Sequence, residues 1–122
     1  MKQIQIGENT YELLPSATVH LVLHGEQTDE IAKGYLALHD HAVREFGGRV
    51  RYLIDMNGAG KISPKARRMV KGLALAGETE KVAVYGTHPL SRHYANLVLK
   101  SFGNDNSRFF PDRPRAEAWL AE

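Results

Sequence analysis

The chain contains no cysteine, which removes disulfide staples, thiolate metal sites and a cysteine nucleophile from consideration. It also lacks any apolar run near the roughly 20 residues that a membrane span needs. The opening stretch MKQIQIGENTYELLP has no apolar segment behind a basic cap, so the expectation is a cytoplasmic protein with neither span nor signal peptide. Repeats, linkers and low-complexity segments are missing as well, so one domain is expected.

At 122 residues the chain suffices for one domain with a real core and is too short for two. Charge is uneven along it. Up to Gly48 three basic residues (Lys2, Lys33, Arg44) stand against seven acidic ones, whereas the remainder carries thirteen basic against seven acidic. The C-terminal part is therefore the one suited to nucleic acid or an acidic partner, although a solvated surface has the same signature.

Hydrophobic period and turn residues predict the elements. KQIQI alternates as a short strand, GEN turns, YELLP starts a second strand that Pro15 interrupts, and TVHLVLHG forms a stronger one. In TDEIAKGYLALHDHAVREFGG, residues Ile31, Tyr35, Leu38, Ala42 and Phe46 make one helical stripe, widened by Ala32, Leu36 and Val43. Thr28 suits the N-cap, Asp29 and Glu30 the positive end of the helix dipole, and Gly47 a left-handed C-cap. RVRYLIDM is the next strand, followed by a helix in SPKARRMVKGLALAG, a strand in KVAVYG, a helix in PLSRHYANLVLKSFG, a short strand in SRFF and a closing helix in RPRAEAWLAE. Strands alternating with helices imply crossover connections, hence an α/β domain with a mostly parallel mixed sheet, an N-terminal antiparallel hairpin and helices packed on it.

The stretch NGAGKISP (57–64) nearly spells a phosphate loop. A functional one reads GxxxxGK[ST], with backbone N–H groups around the phosphates and a hydroxyl on magnesium. Aligned on Gly60 and Lys61, this chain places Asp55 at the leading glycine and Ile62 at the hydroxyl, and a carboxylate there repels phosphate. The third glycine of a dinucleotide fingerprint would fall on Ser63. The residues read better as architecture: Ser63 as an N-cap, Pro64 at the first helical position, and glycines that let the chain turn sharply after a buried strand.

This segment, LIDMNGAGKISPKAR, resembles the centre of STAS-type domains, the module of anti-sigma-factor antagonists and of the cytoplasmic tails of sulfate transporters. KVAVYGTHPLSRHYANLVLKSFG and RFFPDRPRAEAWL resemble a branch of small bacterial STAS-like proteins of largely uncharacterised function, related in shape to the CRAL-TRIO fold. The resemblance runs from Tyr11 onward and implies one STAS-like domain over residues 1–122. In STAS-type antagonists a serine at the start of this helix is phosphorylated as a switch. The family's Asp-Ser pair falls here on Ser63 and Pro64, so the acceptor position is a proline. The corresponding helix faces the protein partner in those antagonists, which makes Ser63, Arg67, Arg68, Lys71 and Leu75 the candidate interface.

Six histidines raise a metal or acid–base reading, but no pair has ligand spacing. His39 falls in the apolar stripe while His41 points away, so His39 is expected in the core with one hydrogen bond. His20 and His24 share a strand face at about 13 Å, too far for one ion. GTHPLSRH joins a central strand to a helix, where open parallel sheets receive ligands. If the strands are neighbours, Thr87, His88, Ser91 and Arg92 meet Asp55 and Asn57 there and form a candidate anion or small-molecule site; otherwise Thr87 is simply a helix cap. Ser91 lies in no nucleophile elbow. The expected role is a non-catalytic regulatory or protein-interaction domain, acting on a protein partner or through self-association as a possible homodimer, with a small-molecule or anion-binding domain as the alternative. No cofactor or metal is expected. Nucleic acid is disfavoured, because no aromatics interleave the basic residues.

Overall fold

The computed structural model describes residues 6–100 and 106–122, without the side chains of Leu90, Ser91, Tyr94, Leu97, Val98 and Lys100. Its elements are β1 (Thr10–Leu14), β2 (Thr18–Gln27), α1 (Asp29–Phe46), β3 (Val50–Ile62), α2 (Pro64–Leu75), β4 (Thr79–Tyr85), α3 (Pro89–Lys100), β5 (Ser107–Phe110) and α4 (Arg113–Leu120). The strand expected in KQIQI falls mostly outside the described residues; Ile6 makes an isolated antiparallel bridge to Asn9.

The five strands form one sheet in the order β1-β2-β3-β4-β5. β1 and β2 are an antiparallel hairpin, and the pairs β2–β3, β3–β4 and β4–β5 are parallel. The expected mixed sheet is thus the observed one. Because the parallel strands advance in one direction, right-handed crossovers place the connecting helices on the same face. Val19, Leu21, Tyr52, Ile54, Met56, Val82 and Val84 form the main core there, with Tyr35 and Leu38 of α1, Ala66 and Ala74 of α2 and Ala95 of α3. The opposite face receives α4, whose Ala116 and Leu120 cover Leu53, Ala83 and Tyr85.

Helix ends follow the sequence signals. The Thr28 hydroxyl accepts from Ile31 N–H, and Gly47 closes α1 in the left-handed region at φ 77°. The Ser63 side chain accepts from Ala66 N–H with Pro64 at the first helical position, and Asp112 caps α4 through Arg115 N–H. Leu36, expected to widen the apolar stripe of α1, is instead 50 % exposed. It lies at the margin of the stripe, beyond the arc that Tyr35, Leu38 and Ala42 bury.

The largest departure concerns the near-miss phosphate loop. Residues 57–62 do not turn away after the strand; they continue β3, pairing with the far end of β2 through Gly58 opposite His24 and Ile62 opposite Gln27, across two register shifts at each of which β3 carries one extra residue. The glycines serve close approach rather than a sharp turn. A Cβ on Gly58 would stand 3.1 Å from the Leu23 carbonyl oxygen and 3.3 Å from His24 Nδ1. An extended, paired backbone cannot wrap N–H groups around a phosphate.

Candidate functional site

β3 and β4 are neighbours in parallel register, with Asp55 opposite Tyr85, so their carboxyl ends bring the predicted residues together. Asp55 Oδ1 accepts from Asn57 N–H at 2.8 Å and from Asn57 Nδ2 at 3.0 Å. Asn57 Oδ1 in turn accepts from Thr87 N–H at 2.8 Å and from the Thr87 hydroxyl at 3.1 Å. This chain of bonds, in which the Thr87 hydroxyl donates, ties the end of β3 to the connection that leaves β4.

Beyond Thr87 lies a depression of about 320 Å3 lined by Gly86, Thr87, His88, Pro89, Arg92, Phe109 and Pro111. Three of the predicted site residues, Thr87, His88 and Arg92, therefore share one concavity with the end of β5. Arg92 is exposed. The Ser91 side chain, the fourth member of the prediction, lies outside the described residues. Asp55 and Asn57 hold the adjoining backbone in place and do not line the depression.

Asp55 also belongs to a second network that the sequence reading missed. The Tyr85 hydroxyl donates to Asp55 Oδ2 at 3.3 Å and lies 2.9 Å from His20 Nε2, while His20 Nδ1 lies 3.5 Å from Glu12 Oε1. The chain of contacts spans β1, β2, β4 and β3. With the phenol proton directed to Asp55, the phenol oxygen is the acceptor for His20 Nε2–H, which fixes the proton on that nitrogen. Burial, reinforced by the negative charge of Asp55 and opposed by Arg113, pushes the Tyr85 phenol up to about 12. His20 and His24 do not act as a pair: His20 is buried with its Nε2 on the Tyr85 hydroxyl, whereas His24 is exposed. Among the described residues no group of His, Asp and Glu has the arrangement of a metal centre.

His39 sits in the core, its Nδ1 2.6 Å from the Tyr52 hydroxyl. Its Nε2 lies 3.5 Å from Glu78 Oε1 and makes no hydrogen bond. On the other side of the same core, Tyr35 donates to Gln27 Oε1, and Asn9 Nδ2 donates to that oxygen at 2.8 Å. Burial raises the phenols of Tyr35 and Tyr52 above their ordinary range. These contacts satisfy buried polar groups and bind the hairpin to α1, which is a structural task.

The candidate interface lies on a different surface. Arg67, Arg68 and Leu75 of α2 are exposed as expected, Leu75 at 48 %, whereas Lys71 is half-buried. Lys61 and Lys65 extend the same basic run. Among the described residues, no ion pair involves Lys61, Lys65, Arg67, Arg68 or Lys71, although Lys33, Arg49, Arg51, Arg113 and Arg115 each meet a carboxylate. Ser63 at the head of this helix is committed in both directions: its hydroxyl donates to Asp29 Oδ1 at 2.6 Å while accepting from Ala66 N–H at 3.0 Å.

Comparison with known proteins agrees with this architecture. The SpoIIAA-like family model matches residues 18–121. The crystal structure of an uncharacterized protein from the DUF3478 family, with a SpoIIAA-like fold and from Shewanella loihica PV-4, superposes with a TM-score of 0.68 at 22 % identity, covering 98 % of each chain. At that identity the likeness speaks to the fold alone. No curated protein matches the chain. The STAS-like resemblance read from the sequence holds, and no helix among the described residues is long and apolar enough to cross a membrane.

Proposed function

Because the chain belongs to the SpoIIAA-like family, we propose that it acts as a non-catalytic protein-interaction domain that docks an acidic surface on helix α2. One observation carries this reading: the run Lys61, Lys65, Arg67, Arg68 and Lys71 gathers five cations without an acidic partner among the described residues, whereas Lys33, Arg49, Arg51, Arg113 and Arg115 each meet a carboxylate. An uncompensated stripe of one sign raises the local potential and speeds encounter with a surface of opposite sign. Leu75, large, apolar and 48 % exposed, supplies an anchor that leaves water on contact. The resemblance to STAS-type antagonists implies a partner-facing helix at this same position. The other end of the chain offers a self-association partner of the required sign, since the first 48 residues carry seven acidic side chains and three basic ones.

The reading is tested with the double variant Arg68→Glu, Leu75→Glu. Both side chains are exposed, so stability should stay within roughly 0.5 kcal/mol of the parent. Affinity purification from the native host identifies a separate partner, and light scattering on the purified protein identifies self-association. Loss of whichever complex is found supports docking on α2; an intact complex removes the helix from the interface.

A further inference from the structure

We infer that the depression at the carboxyl edge of β4 is a second, independent site, and that it takes a small organic anion: one carboxylate or phosphate borne on a flat apolar body. Its position is where open parallel sheets receive ligands. Its volume of about 320 Å3 falls at the lower end of the range of small-molecule pockets.

The lining selects the chemistry. Among the described lining residues, Arg92 is the one permanent cation and none is a carboxylate. The guanidinium is exposed and takes part in no ion pair among the described residues. A planar fork of N–H donors in that state fits a carboxylate or phosphate in two-point contact. Asp55 does not line the depression, and its oxygens accept from Asn57 and Tyr85. Thr87 and His88 add polar edges, and the apolar walls are Phe109 and Pro111 from the β5 side and Pro89 from the head of α3. A bare inorganic ion would leave these walls in water, whereas a ring attached to the anion covers them.

The pocket is also held ready. Thr87 is fixed at both its N–H and its hydroxyl by Asn57, and Gly86 N–H donates to the Phe110 carbonyl at 3.3 Å. The connection between β4 and α3 is thereby tied to β3 on one side and β5 on the other, so binding does not have to order it first.

The experiment is an amide NMR titration of the full chain with benzoate, with benzamide as its neutral analogue and with inorganic phosphate. Benzoate should shift Gly86, Thr87 and Phe109 in a saturable manner, benzamide should bind at least tenfold more weakly, and phosphate should fall between or below. Arg92→Ala should weaken benzoate at least tenfold, with Arg92→Lys recovering part of the loss and both variants keeping the parent spectrum elsewhere. Equal binding of benzoate and benzamide, or benzoate shifts that survive Arg92→Ala, overturns the inference. Saturable shifts from phosphate as strong as those from benzoate overturn the apolar half of it. Because Arg92 lies off α2, these outcomes leave the docking proposal untouched.

Discussion

His20 Nε2 lies 2.9 Å from the hydroxyl of Tyr85, which follows it by 65 residues and stands on the far side of β3. Both side chains are buried, at 7 % and 5 % exposure. Tyr85→Phe keeps the ring against Leu53 and Ala116 but deprives His20 Nε2 of its partner and Asp55 Oδ2 of its donor. A buried polar atom left without a partner costs about 1–3 kcal/mol. Urea unfolding of the variant should show a loss in that range with an unchanged slope, whereas an unaltered midpoint would mean that water replaces the phenol at no cost.

Alkaline pH should strike the same residue. Its phenol titrates near 10 in an unfolded chain and is pushed up to about 12 in the fold, first by burial and then by Asp55. Between these values the unfolded chain has released a proton that the folded one keeps, so stability falls as pH rises. The contribution is intact below about pH 10 and is lost on passing through about 12. Tyr85→Phe should flatten the decline over that window, read by thermal unfolding at several alkaline pH values.

Two glycines should respond in opposite directions to the same substitution. Gly58→Ala drives a methyl group to 3.1 Å from the Leu23 carbonyl oxygen, a backbone atom that cannot step aside, and should cost about 1–3 kcal/mol as overpacking. Gly72 lies within α2 with open space around its Cβ position, so Gly72→Ala should gain about 0.5–1 kcal/mol from helix propensity and a less flexible unfolded chain. Equal effects in calorimetry would contradict the strand assignment of residues 57–62.

Ser63→Ala removes both the N-cap of α2 and the 2.6 Å bond to Asp29. Caps of this kind contribute about 1 kcal/mol. The expected loss is of that order, with hydrogen exchange quickening first in the opening turn of α2. A Ser63→Asp variant, able to cap but set against the Asp29 carboxylate, should fall below the parent and should recover when Asp29→Asn is added. Without that recovery, the contact with Asp29 plays no part in stability.

Much of the fold is written in local patterns. The stripe Tyr35, Leu38, Ala42 and the caps Thr28, Gly47 and Ser63 each state their element within a few residues, because helix ends and helix faces are satisfied locally. What depends on pairing between distant segments is written less plainly. NGAGK reads as a turn because glycine is the usual turn residue, yet here the close neighbour is the backbone of Leu23, which no local pattern reveals. Sequence spacing sets His20 beside His24 on one strand, while its actual partner, Tyr85, is reached only once the strand order is known. A signal did exist: in KVAVY, Val82 and Val84 face the core, so Lys81, Ala83 and Tyr85 must face the other side, where His20 of TVHLV also points by the same alternation. Asn57 and Thr87 meet as expected once β3 and β4 are neighbours, through a bond in which the Thr87 hydroxyl donates to Asn57 Oδ1.

The order of strands in the sheet is the order of strands in the chain. Each strand that leaves the ribosome therefore finds its neighbour already made, and no gap has to be held open for a later arrival. Each parallel pair closes over a single helix, so no strand has to reach past its immediate predecessor to find a partner. The sheet can grow from the hairpin outward while synthesis continues. The exception is the last step: Leu53, Ala83 and Tyr85 wait for Ala116 and Leu120 of α4, which are translated after everything they cover. A chain stalled before Arg113 would carry a finished sheet with that apolar face bare, the kind of surface that chaperones hold and that aggregates when they do not.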